Sequence, residues 1–193
     1  MKSFKIGLLA GCVALLFGAG AQAATIDYIF TGTGTGTLNG SAFNGSFTVT
    51  EIGNTSAVSG PSGGEYTNIA STATFVIGSN MGTLTGTTNE VIDNTAAPGF
   101  IGFAQFPLIS DESTTNLAFE SYGLATALPL TIGTPSVAPA TYYTTLGDLD
   151  FTTITALNFQ AVIPSAVPEP ASLLVLGTAL LGFGVTRRRR HAA

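Results

Sequence analysis

The chain has 193 residues, 9% of them charged, with six Lys and Arg against eleven Asp and Glu and a net charge of −5 at pH 7. All six cations sit at the ends, as Lys2, Lys5, Arg187, Arg188, Arg189 and Arg190, while the only Cys is Cys12 and the only His is His191. Residues 25–167 therefore lack Lys, Arg, His and Cys, and the chain has no Trp at all. That stretch has none of the usual partners of general acid-base or covalent catalysis. It also lacks the Cys and His ligands of zinc and copper, the cations that bind nucleic acid and the thiols of a disulfide. The composition predicts no enzyme, no cofactor, no metal centre and no nucleic-acid partner.

In chain order, Lys2 and Lys5 precede an apolar stretch over 6–20 and the small-x-small triplet Ala21-Gln22-Ala23. This is the layout of a secretory signal peptide over residues 1–23, cleaved after Ala23, with signal peptidase as its partner. Leu9-Ala10-Gly11-Cys12 also fits a lipobox, but the apolar run continues past Cys12, so the full-length signal layout fits better.

Residues 24–163 are rich in Thr, Gly, Ser, Phe, Val and Ile, which disfavours helix and favours short strands between turn signals. The pattern predicts one extracytoplasmic all-β domain, an antiparallel sandwich or jelly roll flanked by the N-terminal signal helix and a C-terminal hydrophobic helix. The opening strand over 26–32 puts Tyr28 and Phe30 on one face and Asp27, Ile29 and Thr31 on the other. Asn39-Gly40 and Asn44-Gly45 are both turn dipeptides. A strand over 46–50 leads into a Gly/Ser/Pro-rich loop over 59–64. Further strands are predicted over 72–77, 82–88, 100–106, 117–122, 128–132, 142–146 and 151–162, with a loop or edge segment over 133–140. In the last strand Ile154, Ala156, Asn158 and Gln160 are expected to alternate against Thr153, Thr155, Leu157, Phe159 and Ala161.

The acids of this body, Asp27, Glu51, Glu65, Glu90, Asp93, Asp111, Glu112, Glu120, Asp148 and Asp150, read as solvated surface charges. Asp148 with Asp150, and Asp111 with Glu112, have the oxygen chemistry of a calcium site but no D-x-D-x-D-G loop, so loop acids are the simpler reading. Asn39, Asn44 and Asn54 begin Asn-x-Ser triplets, the acceptor pattern for N-glycosylation, though turn residues give the first two a simpler role. Thr31, Thr33, Thr35 and Thr37 alternate with Gly32, Gly34 and Gly36, aligning four hydroxyls and methyls on one strand face. Thr83, Thr85 and Thr87 repeat the arrangement. Such arrays resemble the ice-contacting surfaces of some antifreeze proteins, although Thr is also simply a good residue for a solvated strand face.

At the C-terminal end, Val167-Pro168-Glu169-Pro170 is followed by an apolar run over 171–185 and then by Arg187 to Arg190. Two prolines keep the acid in extended backbone, and four arginines beside a short apolar run hold that end in the cytoplasm. In order and spacing, residues 164–193 closely resemble the PEP-CTERM sorting signal. The resemblance implies an envelope protein of a bacterium with an outer membrane. It further implies export across the inner membrane, transient anchoring there by the C-terminal helix, and an exosortase that recognises Pro-Glu-Pro and removes the tail. The expected destination is the cell surface or the outside, in a biofilm matrix with exopolysaccharide as the expected partner.

Overall fold

The computed structural model describes residues 23–105, 112–136 and 141–164, and among them the protein is all-β and antiparallel, without an α-helix. The strands are β1 (Thr25–Leu38), β2 (Ser41–Asn54), β3 (Ser59–Ser62), β4 (Glu65–Ile69), β5 (Thr72–Ile77), β6 (Asn80–Thr83), β7 (Thr88–Asp93), β8 (Phe100–Gln105), β9 (Glu112–Thr115), β10 (Leu128–Ser136), β11 (Thr141–Thr144) and β12 (Gly147–Val162). They are paired in the order β3-β4-β7-β8-β9-β10-β12-β1-β2-β5-β6, with β11 also on β12.

β1 lies between the two other longest strands, β12 and β2, and its sequence explains its position. Tyr28 and Phe30 are buried as the alternation predicts, and the same phase buries Gly32, Gly34 and Gly36 while Thr31, Thr33, Thr35 and Thr37 face outward. The chain then reverses at Asn39-Gly40, whose φ values of 50° and 75° suit a two-residue turn of type I′, and Leu38 pairs with Ser41. Asn44-Gly45 is not a turn but lies within β2, because the first dipeptide has already reversed the chain and the ladder continues through both residues.

On its other side β1 pairs with β12, whose register slips at Thr33/Gly34 and again at Thr35/Gly36. Each slip inserts one extra residue in β12, Thr155 and Thr152, a β-bulge that bends the strand and resets its alternation. Ile154 is therefore buried in phase with Leu157, Phe159 and Ala161, and the single alternation expected along the whole strand does not hold. The bulged strand presses its carbonyls onto the glycines. A Cβ on Gly34 would stand 2.4 Å from the Thr153 oxygen, and one on Gly36 1.9 Å from the Asp150 oxygen.

Several other elements differ from their expectations. Residues 117–122 form a 3-10 turn, Leu117–Ser121, because the Asn116 side chain caps it by accepting from the Ala118 N–H at 2.8 Å. The loop expected over 59–64 contains β3, paired with β4. Within 82–88, β6 ends at Thr83 and β7 starts at Thr88. The predicted edge segment over 133–140 continues β10 as far as Ser136, while residues 137–140 lie outside the described residues. In β10, residues 128–133 pair with β12 and residues 134–136 pair with β9, so this strand carries the sheet round a corner.

The fold-over brings non-neighbouring strands into contact. Phe30 of β1 packs on Phe103 of β8 at 4.9 Å and on Phe159 of β12 at 5.0 Å between ring centroids, and Phe103 in turn meets Tyr142 of β11 at 5.4 Å. Nearby, the sheet path is stitched by amides. Leu84 bridges Thr144, and the buried Gln105 side chain donates to the Thr85 and Tyr143 carbonyls and accepts from the Tyr143 N–H at 2.7 Å. Its primary amide stands in for a missing peptide unit. A second buried network joins β1, β4 and the segment before β10: Tyr28 Oη donates to the Leu124 carbonyl at 2.6 Å and accepts from Asn68 Nδ2 at 2.7 Å. Leu124 is fully buried with φ of 61°, a conformation that costs a non-glycine residue about 1 kcal/mol or more.

Two stability outcomes follow from this packing. Gly36→Ala loses about 2 kcal/mol or more in urea unfolding, because the new methyl displaces backbone rather than a movable side chain. Tyr28→Phe loses roughly 1–3 kcal/mol in the same assay, since it takes the Tyr28 donor from the Leu124 carbonyl and leaves Asn68 Nδ2 with its bond to the Asn54 carbonyl.

Candidate functional site

The outward face of β12, β1, β2 and β5 is the most regular surface among the described residues. Registered pairs place Thr31 beside Thr48, Thr50 beside Thr74, and Thr35 beside Thr153, while Ser46 stands beside Thr33 and Asn44 beside Thr35. Thr72 pairs with Ile52, and Thr83 of β6 continues the row from Thr74. Strand spacing of about 4.8 Å and a repeat of about 6.7 Å along each strand set the pitch of this array. The sequence reveals only the β1 run, because single threonines on β2, β5 and β12 become a surface only once register aligns them. The second expected run does not form: Thr85 bonds the β11 backbone and Thr87 lies beyond β6.

Hydroxyls on the β1–β12 seam bond one another rather than pointing freely outward. Thr33 Oγ1 lies 2.8 Å from Thr155 Oγ1, and Thr35 Oγ1 lies 2.7 Å from Thr153 Oγ1. The two bulges make these pairs possible by bringing Thr153 and Thr155 onto the same face as the β1 threonines. At the seam's end Asp150 accepts from Thr37 at 3.3 Å and from Thr141 at 2.5 Å, so both carboxylate oxygens are engaged by hydroxyls. The result is a regular, nearly uncharged surface of methyls and hydroxyls. It can match hydroxyl-bearing or water-ordered partners.

The acids fall into two groups. Asp148 is exposed and Asp150 half-buried, near the turn between β11 and β12. Glu51 and Glu112, by contrast, are fully buried, which corrects the expectation that all body acids are solvated. Their strand phase explains this: Glu51 continues the inward series of Phe47 and Val49, and Glu112 lies opposite buried Phe103. Among the described residues no group of three or more His, Cys, Asp or Glu is placed to hold a metal ion, and Asp111 lies outside them.

Ala23, the residue ahead of the expected cleavage point, is exposed, and Ala24 is tied to Thr55 by a 3.0 Å backbone bond. Ala21, Val167, Pro168, Glu169, Pro170 and Arg187 to Arg190 lie outside the described residues, as do the two expected flanking helices. No helix among the described residues is long and apolar enough to cross a membrane.

Residues 166–190 match the family model described as the PEP-CTERM protein-sorting motif. The C-terminal tail is a PEP-CTERM sorting motif. It implies an exported protein that is targeted to an exosortase, processed in association with the membrane and delivered to the cell surface. No curated protein and no solved structure matches the chain.

Because the Thr33–Thr155 and Thr35–Thr153 hydroxyl pairs lie on an exposed face, where water can take over the bonds of the remaining hydroxyls, the surface can be altered without losing the fold. Thr33→Val combined with Thr35→Val stays within about 1 kcal/mol of the parent in thermal unfolding.

Proposed function

We propose that this chain is an exported, non-enzymatic protein of the cell surface or extracellular matrix, whose body is a β-sandwich delivered by its tail. The observation that carries this reading is the PEP-CTERM motif over 166–190. In the proposed plan, residues 1–23 are a signal peptide cleaved after Ala23, residues 24–163 are the displayed body, and residues 164–193 are the sorting tail. Pro168, Glu169 and Pro170 are recognised by the exosortase, and the apolar run anchors the chain in the inner membrane until processing. Arg187, Arg188, Arg189 and Arg190 stop translocation.

The body's chemistry supports a presenting role. Residues 25–167 carry acids but no cations, so the exported domain is soluble and repels polyanions. Exopolysaccharide is the matrix partner that fits a broad hydroxyl surface, because sugar hydroxyls can exchange hydrogen bonds with the Thr, Ser and Asn side chains of β1 and β2. The regular pitch of the same face favours a second reading, in which the ordered partner is ice.

Two measurements test the proposal. In an exosortase-bearing host the intact mass of the exported protein lacks both ends, and Pro168→Ala with Pro170→Ala leaves the tail attached and the chain in the membrane fraction. Thr33→Lys with Thr48→Lys weakens co-sedimentation with the host's polysaccharide by about tenfold or more, since two flexible cations interrupt the hydroxyl array. If ice is the partner instead, the parent shows thermal hysteresis and the double variant does not. An exported protein that retains its tail in the presence of the exosortase overturns the sorting scheme.

A further inference from the structure

The two sides of β2 are unequally covered. Its ladder with β1 extends to Ser41, but its ladder with β5 begins only at Phe47, where it meets Ile77. Residues 41–46 thus have a strand neighbour on one side alone among the described residues. In a two-residue hairpin the pair flanking the turn is hydrogen-bonded, so Ser41, Phe43 and Gly45 bond to β1. By the same alternation Ala42, Asn44 and Ser46 direct their backbone N–H and C=O groups to the open side. A groove lined by Asn44, Ser46, Ile77, Gly78 and Asn80 runs along that side.

Natural edge strands are usually protected by Lys, Pro, an inward charge or a cover. The segment Ser41-Ala42-Phe43-Asn44-Gly45-Ser46 has no charge and no proline. The other outer strands are protected: β3 is four residues long and contains Pro61, and the chain just beyond β6 is stitched to β11. Among the described residues, the edge at 41–46 lies at the end of a hairpin, is open along one side and carries none of these guards.

We propose that this edge pairs with the same edge of a second copy of the chain, antiparallel about a twofold axis centred on Phe43. In that register Ala42 of each copy stands opposite Asn44 of the other, and each such pair exchanges two backbone hydrogen bonds. The two Phe43 side chains meet as a non-hydrogen-bonded cross-strand pair, the closer of the two kinds. Phe43 is only half-buried in one copy, resting edge-on against Phe151 with centroids 5.8 Å apart. A second copy is the occupant for three reasons. The edge is its own complement, an isologous contact closes as a dimer without building a fibre, and the edge lacks the charge that would select a different ionic partner. Because residues 25–167 carry only negative charge, the two bodies repel at a distance and added salt tightens the pairing. The inference rests on the fold alone and is independent of the proposed surface role.

The test uses the full chain in detergent with Cys12→Ser as background. Phe43→Cys is expected to form a self-disulfide on mild oxidation, whereas Ser62→Cys, exposed on β3, is expected to stay monomeric. Sedimentation should show a dimer that strengthens with salt. Asn44→Pro, which removes a donor on the open side without touching the β1 ladder, should weaken it about tenfold or more through the loss of two symmetric bonds. Equal cross-linking of the two cysteine variants, or a dimer unchanged by Asn44→Pro, overturns the proposal. Should Phe43→Cys fail to fold, the Asn44→Pro comparison decides the matter alone.

Discussion

The contact between the carbonyls of β12 and the glycines of β1 is the constraint on which the rest of the body depends. Two bulges push the β12 backbone inward at Gly34 and Gly36, and no residue with a side chain leaves room there. The same bulges bring Thr153 and Thr155 onto the outer face, where they bond Thr35 and Thr33. One irregularity therefore shapes both sides of the sheet. Inside, the missing side chain of the neighbouring Gly32 lets Phe47 lie over it, where a Cβ would come within 2.6 Å of the ring. Outside, it sets the threonine surface.

The interior is closed by polar side chains as much as by aromatics. Gln105 replaces a peptide group where the strands cannot pair directly, and the Tyr28–Asn68 network fixes the otherwise unfavourable backbone of Leu124. Buried polar groups of this kind specify one arrangement, because any alternative packing leaves donors or acceptors unmet in a low-dielectric interior. Residues 25–167, which contain no Cys, Lys or Arg to form disulfides or such ion pairs with one another, rely on such devices for uniqueness.

Much of this was legible in the residues. The alternation of β1, the Asn39-Gly40 reversal and the span of β5 are local properties, set by side-chain phase and turn chemistry. The sorting tail was equally legible, because a sorting motif is written in consecutive residues. What escaped was set by partners remote in sequence. Leu117 and Phe119 look like a strand until Asn116 caps them, and a bulge in β12 has no signature without the glycines opposite. Glu51 reads as solvated because charge normally marks the surface, yet strand phase places it inside. The breadth of the threonine face could not be read, since it depends on the register of four strands.

The pairing of Asp27 with Val162 puts both exits of the body at one end of its longest strands. Both ends of the body therefore leave it on the side opposite the Asn39-Gly40 hairpin tip. With 14 residues in β1, that tip reaches about 45 Å from the two exits. Whatever the tip meets is met a full strand length away from where the tail joins the body.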